Sequence, residues 1–259
     1  MNLPKKSLGQ HWLSDEGMLD AIVNAAELSD DDTVLEVGPG LGTLTTKLVG
    51  SANEVVAVEF DEDLAHDLPT RVSAENLKVV HEDILEFDLE SLPAGYKVVA
   101  NIPYYLTSHL IRRLLEATNQ PSLMVLLVQK EVAERIVAEP GQMSVLAVAS
   151  QHFADTSLGI VVPAEYFDPP PKVDSQVVIL RPHTRPEVDE VAFFKLIKAG
   201  FGEKRKKLAN SLSGRTELSK DIVIEVLQDA GLEDTARAQE LSLEQWYDVF
   251  ERVQNVRQG

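Results

Sequence analysis

The sequence predicts an α/β protein: a parallel sheet covered by helices over the first two thirds, followed by a smaller all-helical domain. Three observations carry that prediction. Up to about residue 180, short valine-rich apolar runs alternate with helical segments, the pattern of strands buried on both faces. Beyond Pro182 and Pro186 the apolar residues recur at helical spacing instead. A glycine loop separates the first strand from the first helix, at the end of the sheet where such folds bind ligands. A chain of 259 residues, 44% of them hydrophobic, is long enough for one large and one small domain. The division is placed at 1–183 and 184–259.

Each element follows from local pattern. Thr33–Val37 reads as the first strand and 43–49 as the first helix; 54–58 and 61–72 repeat the pair. Strands at 77–80 and 96–100, a helix at 108–117 and a strongly apolar strand at 123–128 continue it. Asp168-Pro169-Pro170-Pro171-Lys172 lacks the backbone donors of a helix or central strand and reads as a stiff, extended loop. A last strand is expected at 175–180. In the second domain Phe193, Ile197 and Phe201 recur at helical intervals, as do Ile222 with Val226 and Trp246, Val249, Phe250 and Val253.

Composition narrows the function. There is no cysteine, hence no disulfide framework, thiolate nucleophile or thiolate metal site. The six histidines are scattered without metal-ligand spacing, so no metal is expected. No apolar run approaches the roughly 18 residues of a membrane span. Lys5-Lys6 is followed by Gly9-Gln10-His11 rather than by the apolar core of a signal peptide. A cytoplasmic monomer is expected. The net charge is −18, which opposes nucleic-acid binding in general, but the charge is unevenly spread. Residues 1–179 carry 28 acidic and 11 basic side chains, whereas 180–259 carry 14 and 13. Lys204, Arg205, Lys206 and Lys207 form the densest cationic cluster and are candidate phosphate contacts.

The strand ends carry the chemistry. Glu36-Val37-Gly38-Pro39-Gly40-Leu41-Gly42 follows the first strand, and its glycines permit tight turning and close approach to a ligand. Its spacing is G-x-G-x-G, which departs from the dinucleotide fingerprint. Glu59 closes the second strand, where a carboxylate suits a ribose diol. Asp83 follows the third strand and is placed to accept from an adenine amine. Asn101-Ile102-Pro103-Tyr104 follows the fourth. There an amide oxygen, a carbonyl aimed by proline and an aromatic face suit the holding of an aromatic amine. Acidic residues end strands and cap helices everywhere, so each alone is ordinary; four in succession are not. A nicotinamide dinucleotide and S-adenosylmethionine both fit the first three, and the Asn101 element favours the second.

Further motifs appear in order: Ser7-Leu8-Gly9-Gln10-His11-Trp12-Leu13, Phe167 with Pro169-Pro170-Pro171-Lys172-Val173-Asp174-Ser175, and Phe201 with Lys204-Arg205-Lys206 and Asn210. With the strand-end motifs, they make the chain resemble the small-subunit ribosomal RNA adenine N6,N6-dimethyltransferases from Lys6 to about Leu212. The resemblance implies a Rossmann-like, seven-stranded class I methyltransferase sheet and a small C-terminal helical domain. It also implies methyl transfer from S-adenosylmethionine to two adjacent adenines near the 3′ end of small-subunit rRNA, within an immature small subunit. Gln10, His11, Leu13, Gly38, Gly40, Glu59, Asp83 and Asn101 would then hold the cofactor. Asn101 and the Ile102 carbonyl would hold N6, with Pro103 fixing the turn and Tyr104 and Phe167 stacking on the flipped base. Two departures stand out. The family usually has Asn and Phe where this chain has His11 and Trp12, and an arginine where it has Lys204. A large-subunit adenine methyltransferase of the resistance type shares the cofactor motifs, and the 169–175 stretch favours the small-subunit family. A non-enzymatic rRNA-binding assembly factor and a dinucleotide oxidoreductase are the remaining readings.

Overall fold

The computed structural model describes residues 10–203 and 206–258; Ser7, Leu8, Gly9, Lys204 and Arg205 lie outside the described residues. The strands are β1 (Trp12–Leu13), β2 (Thr33–Val37), β3 (Glu54–Glu59), β4 (Leu77–His81), β5 (Lys97–Asn101), β6 (Leu123–Gln129), β7 (Ala154–Val162), β8 (Phe167–Asp168) and β9 (Ser175–Pro182). The α-helices are α1 (Glu16–Ala25), α2 (Thr43–Leu48), α3 (Glu62–Arg71), α4 (Thr107–Glu116), α5 (Lys130–Ile136), α6 (Val145–Phe153), α7 (Glu190–Gly200), α8 (Leu208–Ser213), α9 (Lys220–Asp229) and α10 (Leu243–Gln258).

The chain packs as two units, one of 10–134 with Phe153–His183, the other of Arg135–His152 with 184–258. In the first, seven strands make one sheet in the order β4-β3-β2-β5-β6-β9-β7. β2 is buried along its whole length, and β6 at every residue but its last. Both read as continuous apolar runs because helices cover the two faces. The five strands from β4 to β6 are parallel. The expectation of a parallel sheet fails at the other edge, where β9 runs antiparallel to both β6 and β7. β7 and β9 are joined by residues 163–174 alone, and an antiparallel pair needs no helical crossover. β1 and β8 form a separate two-stranded ribbon, with Trp12 opposite Asp168 and Leu13 opposite Phe167. Asp15 starts α1 by accepting from the Met18 N–H, and Asp61 starts α3 by accepting from the Asp63 N–H; each satisfies an orphan donor of its helix.

The second unit is built around Phe193, Ile197, Leu208, Val226 and Trp246. Gly200 is the closest approach in this core, since a Cβ there would stand 2.5 Å from the Trp246 ring. Of the expected periodic residues, Trp246, Val249, Phe250 and Val253 are all buried, but Val223 rather than Ile222 enters the core from α9. The expected division at 183 assigns 135–152 to the first domain, and that assignment is corrected. Met143, Ala147 and Val148 belong to the same apolar cluster as Trp246. His152 is fully buried against Phe193 and Phe194, and its Nδ1 meets the Tyr247 hydroxyl at 2.8 Å.

Candidate active site

A cavity of about 410 Å³ opens at the carboxyl ends of the parallel strands, the place this architecture reserves for ligands. Its floor is the glycine loop. The Gly38 N–H still donates to the Val58 carbonyl at 2.9 Å, so the loop leaves β2 pinned to β3. Gly42 caps α2 with φ +85°, and a Cβ there would lie 2.7 Å from Leu68 and 2.8 Å from Val72. Only glycine meets both demands.

Two buried carboxyl groups face this loop differently. Glu59 accepts from the Asp61 N–H through Oε1 at 2.9 Å and from the Gly40 N–H through Oε2 at 3.1 Å. Burial pushes its carboxyl up, while the two amide donors favour the ionised form. Glu36 is 1% exposed, and its Oε2 has no hydrogen-bond partner. Burial pushes it up to about 8, so it is protonated at neutral pH. Asp83 accepts from the Leu85 N–H at 2.9 Å, which fixes the turn after β4 and leaves its other oxygen at the cavity wall.

The opposite wall is the Asn101 element. Asn101 ends β5, and its Nδ2 donates to the His11 carbonyl at 3.1 Å. A carbonyl can only accept, so the amide orientation is determined and Oδ1 is the atom left to accept from a ligand. Ile102 is 1% exposed and its N–H donates to the Leu127 carbonyl, which anchors the turn to β6. The Tyr104 hydroxyl meets Ser175 Oγ at 2.9 Å, and burial raises its phenol. His11 lies against Tyr104 with ring centroids 5.8 Å apart and planes at 23°. Its Nδ1 is 2.7 Å from the Pro169 carbonyl. Gln10 donates to Asp61 Oδ2 at 3.3 Å.

Comparison with known proteins identifies the family. A family model described as ribosomal RNA adenine dimethylase matches residues 1–255. The chain belongs to the ribosomal RNA adenine dimethylase family. A Dehalococcoides mccartyi relative named ribosomal RNA small subunit methyltransferase A is 45% identical over 249 residues, covering 93% of this chain and 86% of that protein. One of the same name from Thermosynechococcus vestitus is 42% identical and covers 98% of both chains. A solved dimethyladenosine transferase from Plasmodium falciparum superposes with a TM-score of 0.81 at 27% identity, covering 95% of this chain and 98% of that one. The 23S rRNA methyltransferase ErmE gives 0.76 at 30% identity, covering 94% and 99%.

For this adenine dimethylase the cavity gathers Gln10, His11, Leu13, Gly38 and Gly40 on one side, then Glu59 and Asp83, then Asn101, Ile102, Pro103 and Tyr104. It does not gather Phe167. The expectation that Phe167 offers a stacking face is corrected: pairing of β8 with β1 turns its ring into the apolar cluster of Leu13 and Leu19, at 4% exposure. The wall extends beyond the expected site residues, and its further members include Glu36, Phe60 and Tyr105. Glu36 was noticed only as the start of the glycine motif. Phe60 and Tyr105 line the cavity at 58% and 61% exposure. Their signal in the sequence was adjacency to Glu59 and Tyr104. The Tyr105 phenol is raised by burial and by the charges of Asp83 and Glu59. Of the described basic residues, Lys206 pairs with Glu203 at 2.5 Å and Lys207 with Asp234 at 3.6 Å.

Proposed function

We propose that this chain transfers methyl groups from S-adenosylmethionine to N6 of two adjacent adenines near the 3′ end of small-subunit rRNA. The observation that carries the reading is the Asn101 amide, held by the His11 carbonyl so that Oδ1 is presented in a cavity shared with Glu59 and Gly38. The residues fit the cofactor. Glu59 keeps a lone pair on each oxygen for a ribose diol, Asp83 keeps one oxygen for the adenine amine, and Gly38 and Gly40 let a methionine chain approach the backbone. Gln10, His11 and Leu13 close that end. Bound there, the cofactor supplies an electrophilic methyl group on a sulfonium.

The chain's own residues prepare the acceptor. In free adenine the N6 lone pair is delocalised into the ring and is a poor nucleophile. Asn101 Oδ1 and the Ile102 carbonyl accept the two N6 hydrogens, which favours a tetrahedral nitrogen and localises the lone pair. Tyr104 supplies the stacking face that offsets the unstacking of a flipped base. Holding both reactants in one cavity supplies much of the remaining advantage. Lys206 and Lys207 contact the RNA backbone of an immature small subunit. Small-subunit specificity is supported by the names of the relatives at 45% and 42% identity, both small subunit methyltransferases.

Asn101→Ala tests the assignment. With unmethylated small subunits and labelled cofactor, the variant is expected to lose methylation while binding cofactor within a few-fold of wild type. Full dimethylation by the variant refutes the role. Glu59→Ala is expected to raise the cofactor Kd at least tenfold, about 1.4 kcal/mol; an unchanged Kd removes the ribose contact.

A further inference from the structure

The short strand that precedes α1 lays Trp12 on the glycine loop. Leu13, its neighbour on β1, is buried in the apolar cluster of Leu19, and alternation along a strand turns Trp12 to the other side. There a Cβ on Gly40 would stand 3.0 Å from both the indole Cδ1 and Nε1. The N–H edge of the ring therefore faces the loop backbone. Trp12 lines the cavity, and its Nε1 is buried with no hydrogen-bond partner among the described residues. A buried N–H left unmatched costs stability, and an indole N–H can only donate. What it lacks is an acceptor at the glycine loop.

We propose that the Trp12 indole N–H binds the carboxylate at the methionine end of S-adenosylmethionine. The inference rests on the cofactor reading above, which places that end at Gly38 and Gly40. A carboxylate is held best by cations or by several N–H donors, and this cavity is poor in both. No lysine or arginine is among its described lining residues, whereas Glu36, Glu59, Glu82 and Asp83 are. The loop glycines already use their own N–H groups: Gly38 donates to Val58, Gly40 to Glu59 and Gly42 to Pro39.

The side-chain nitrogens of the lining are committed in the same way. Gln10 donates to Asp61, His11 Nδ1 to the Pro169 carbonyl and Asn101 Nδ2 to the His11 carbonyl. Trp12 Nε1 is left as the donor without an acceptor. Glu36, buried at the head of the loop, is protonated at neutral pH and so does not repel a carboxylate there. The family's usual Phe at this place has a ring but no donor, so the departure to Trp12 adds a polar contact and keeps the aromatic wall.

Calorimetric titration of wild type and Trp12→Phe with S-adenosylmethionine and with its decarboxylated analogue tests this. Phenylalanine keeps a ring over Gly40 and removes the N–H. The variant is expected to raise the Kd for S-adenosylmethionine on the order of tenfold, and to bind the decarboxylated analogue as wild type does. The chain has two tryptophans, so the indole N–H signal that Trp12→Phe removes from the nitrogen-15 NMR spectrum belongs to Trp12. In wild type that signal should move downfield when S-adenosylmethionine is added, and far less with the decarboxylated analogue. An equal Kd for S-adenosylmethionine in the two proteins overturns the proposal alone. An equal loss for both ligands also overturns it, because the effect then belongs to ring packing. A wild type that binds no S-adenosylmethionine overturns the cofactor reading and the proposal together.

Discussion

The two units bury polar groups in opposite ways. The sheet unit places Glu36, Glu59 and Asp61 inside, at 1%, 6% and 4% exposure, all around one glycine loop. The helical unit encloses His152 among Phe193, Phe194 and Tyr247 and keeps its described carboxylates and lysines at or near the surface. Burying a carboxyl costs stability unless it is well partnered. The first unit bears that cost where a ligand is to be held, whereas the second is organised chiefly by packing. The contrast separates short-range hydrogen bonds at the strand ends of one unit from close apolar packing in the other.

The largest expected effect tests the packing half of the contrast. Trp246 is fully buried against Gly200, so Trp246→Ala should cost the helical unit about 3–5 kcal/mol. Denaturant unfolding followed by circular dichroism reads this directly. A loss below about 1 kcal/mol would mean that packing does not hold that unit together.

Glu36 tests the other half. Its folded-state value of about 8 lies above the ordinary 4.5, so the neutral form is the one the fold accepts. Its contribution is fully present below pH 4.5 and is lost as pH rises through about 8. Glu36→Gln should remove that dependence. The variant is expected to match wild type near pH 4.5 and to exceed it at pH 8.5, by up to about 4 kcal/mol. Parallel pH profiles for the two proteins would show that Glu36 ionises freely and that the sheet unit bears no such cost.

Much of this contrast was legible in the sequence, but unevenly. Strands β2 to β6 and the residues at their ends could be read because buried parallel strands are apolar runs that stop where polar chemistry begins. The antiparallel edge escaped, because β7 is exposed or half-buried at all but its two end residues, contains Gly159 and shifts register between Leu158 and Val161, which leaves it no regular apolar signal. Residues 135–152 fell in the first domain because one division was placed at 183, and a segment that leaves one unit for the other and returns leaves no local mark in the sequence. The fate of Phe167 turned on a two-residue ribbon with Leu13, a pairing across the chain that local pattern cannot contain. The orientation of the Asn101 amide likewise depends on the His11 carbonyl, 90 residues away.

The smallest expected effect tests whether the charge on the helical unit meets RNA. Lys206 and Lys207 each face a carboxylate, yet their side chains remain 56% and 46% exposed. Exposed pairs of this kind are worth about 0–1 kcal/mol, so exchanging Glu203 or Asp234 for a phosphate costs little. Each phosphate contact contributes roughly 0.7–0.9 to the slope of log affinity against log salt. Replacing both lysines by alanine should therefore flatten the slope for small-subunit RNA by up to about 1.8 and weaken binding several-fold at low salt. Cofactor affinity should stay as it was, because neither lysine lines the cavity. An unchanged slope would move the RNA contact off these two lysines. A lost cofactor affinity would break the contrast itself, since it would tie the surface charge to the strand-end chemistry.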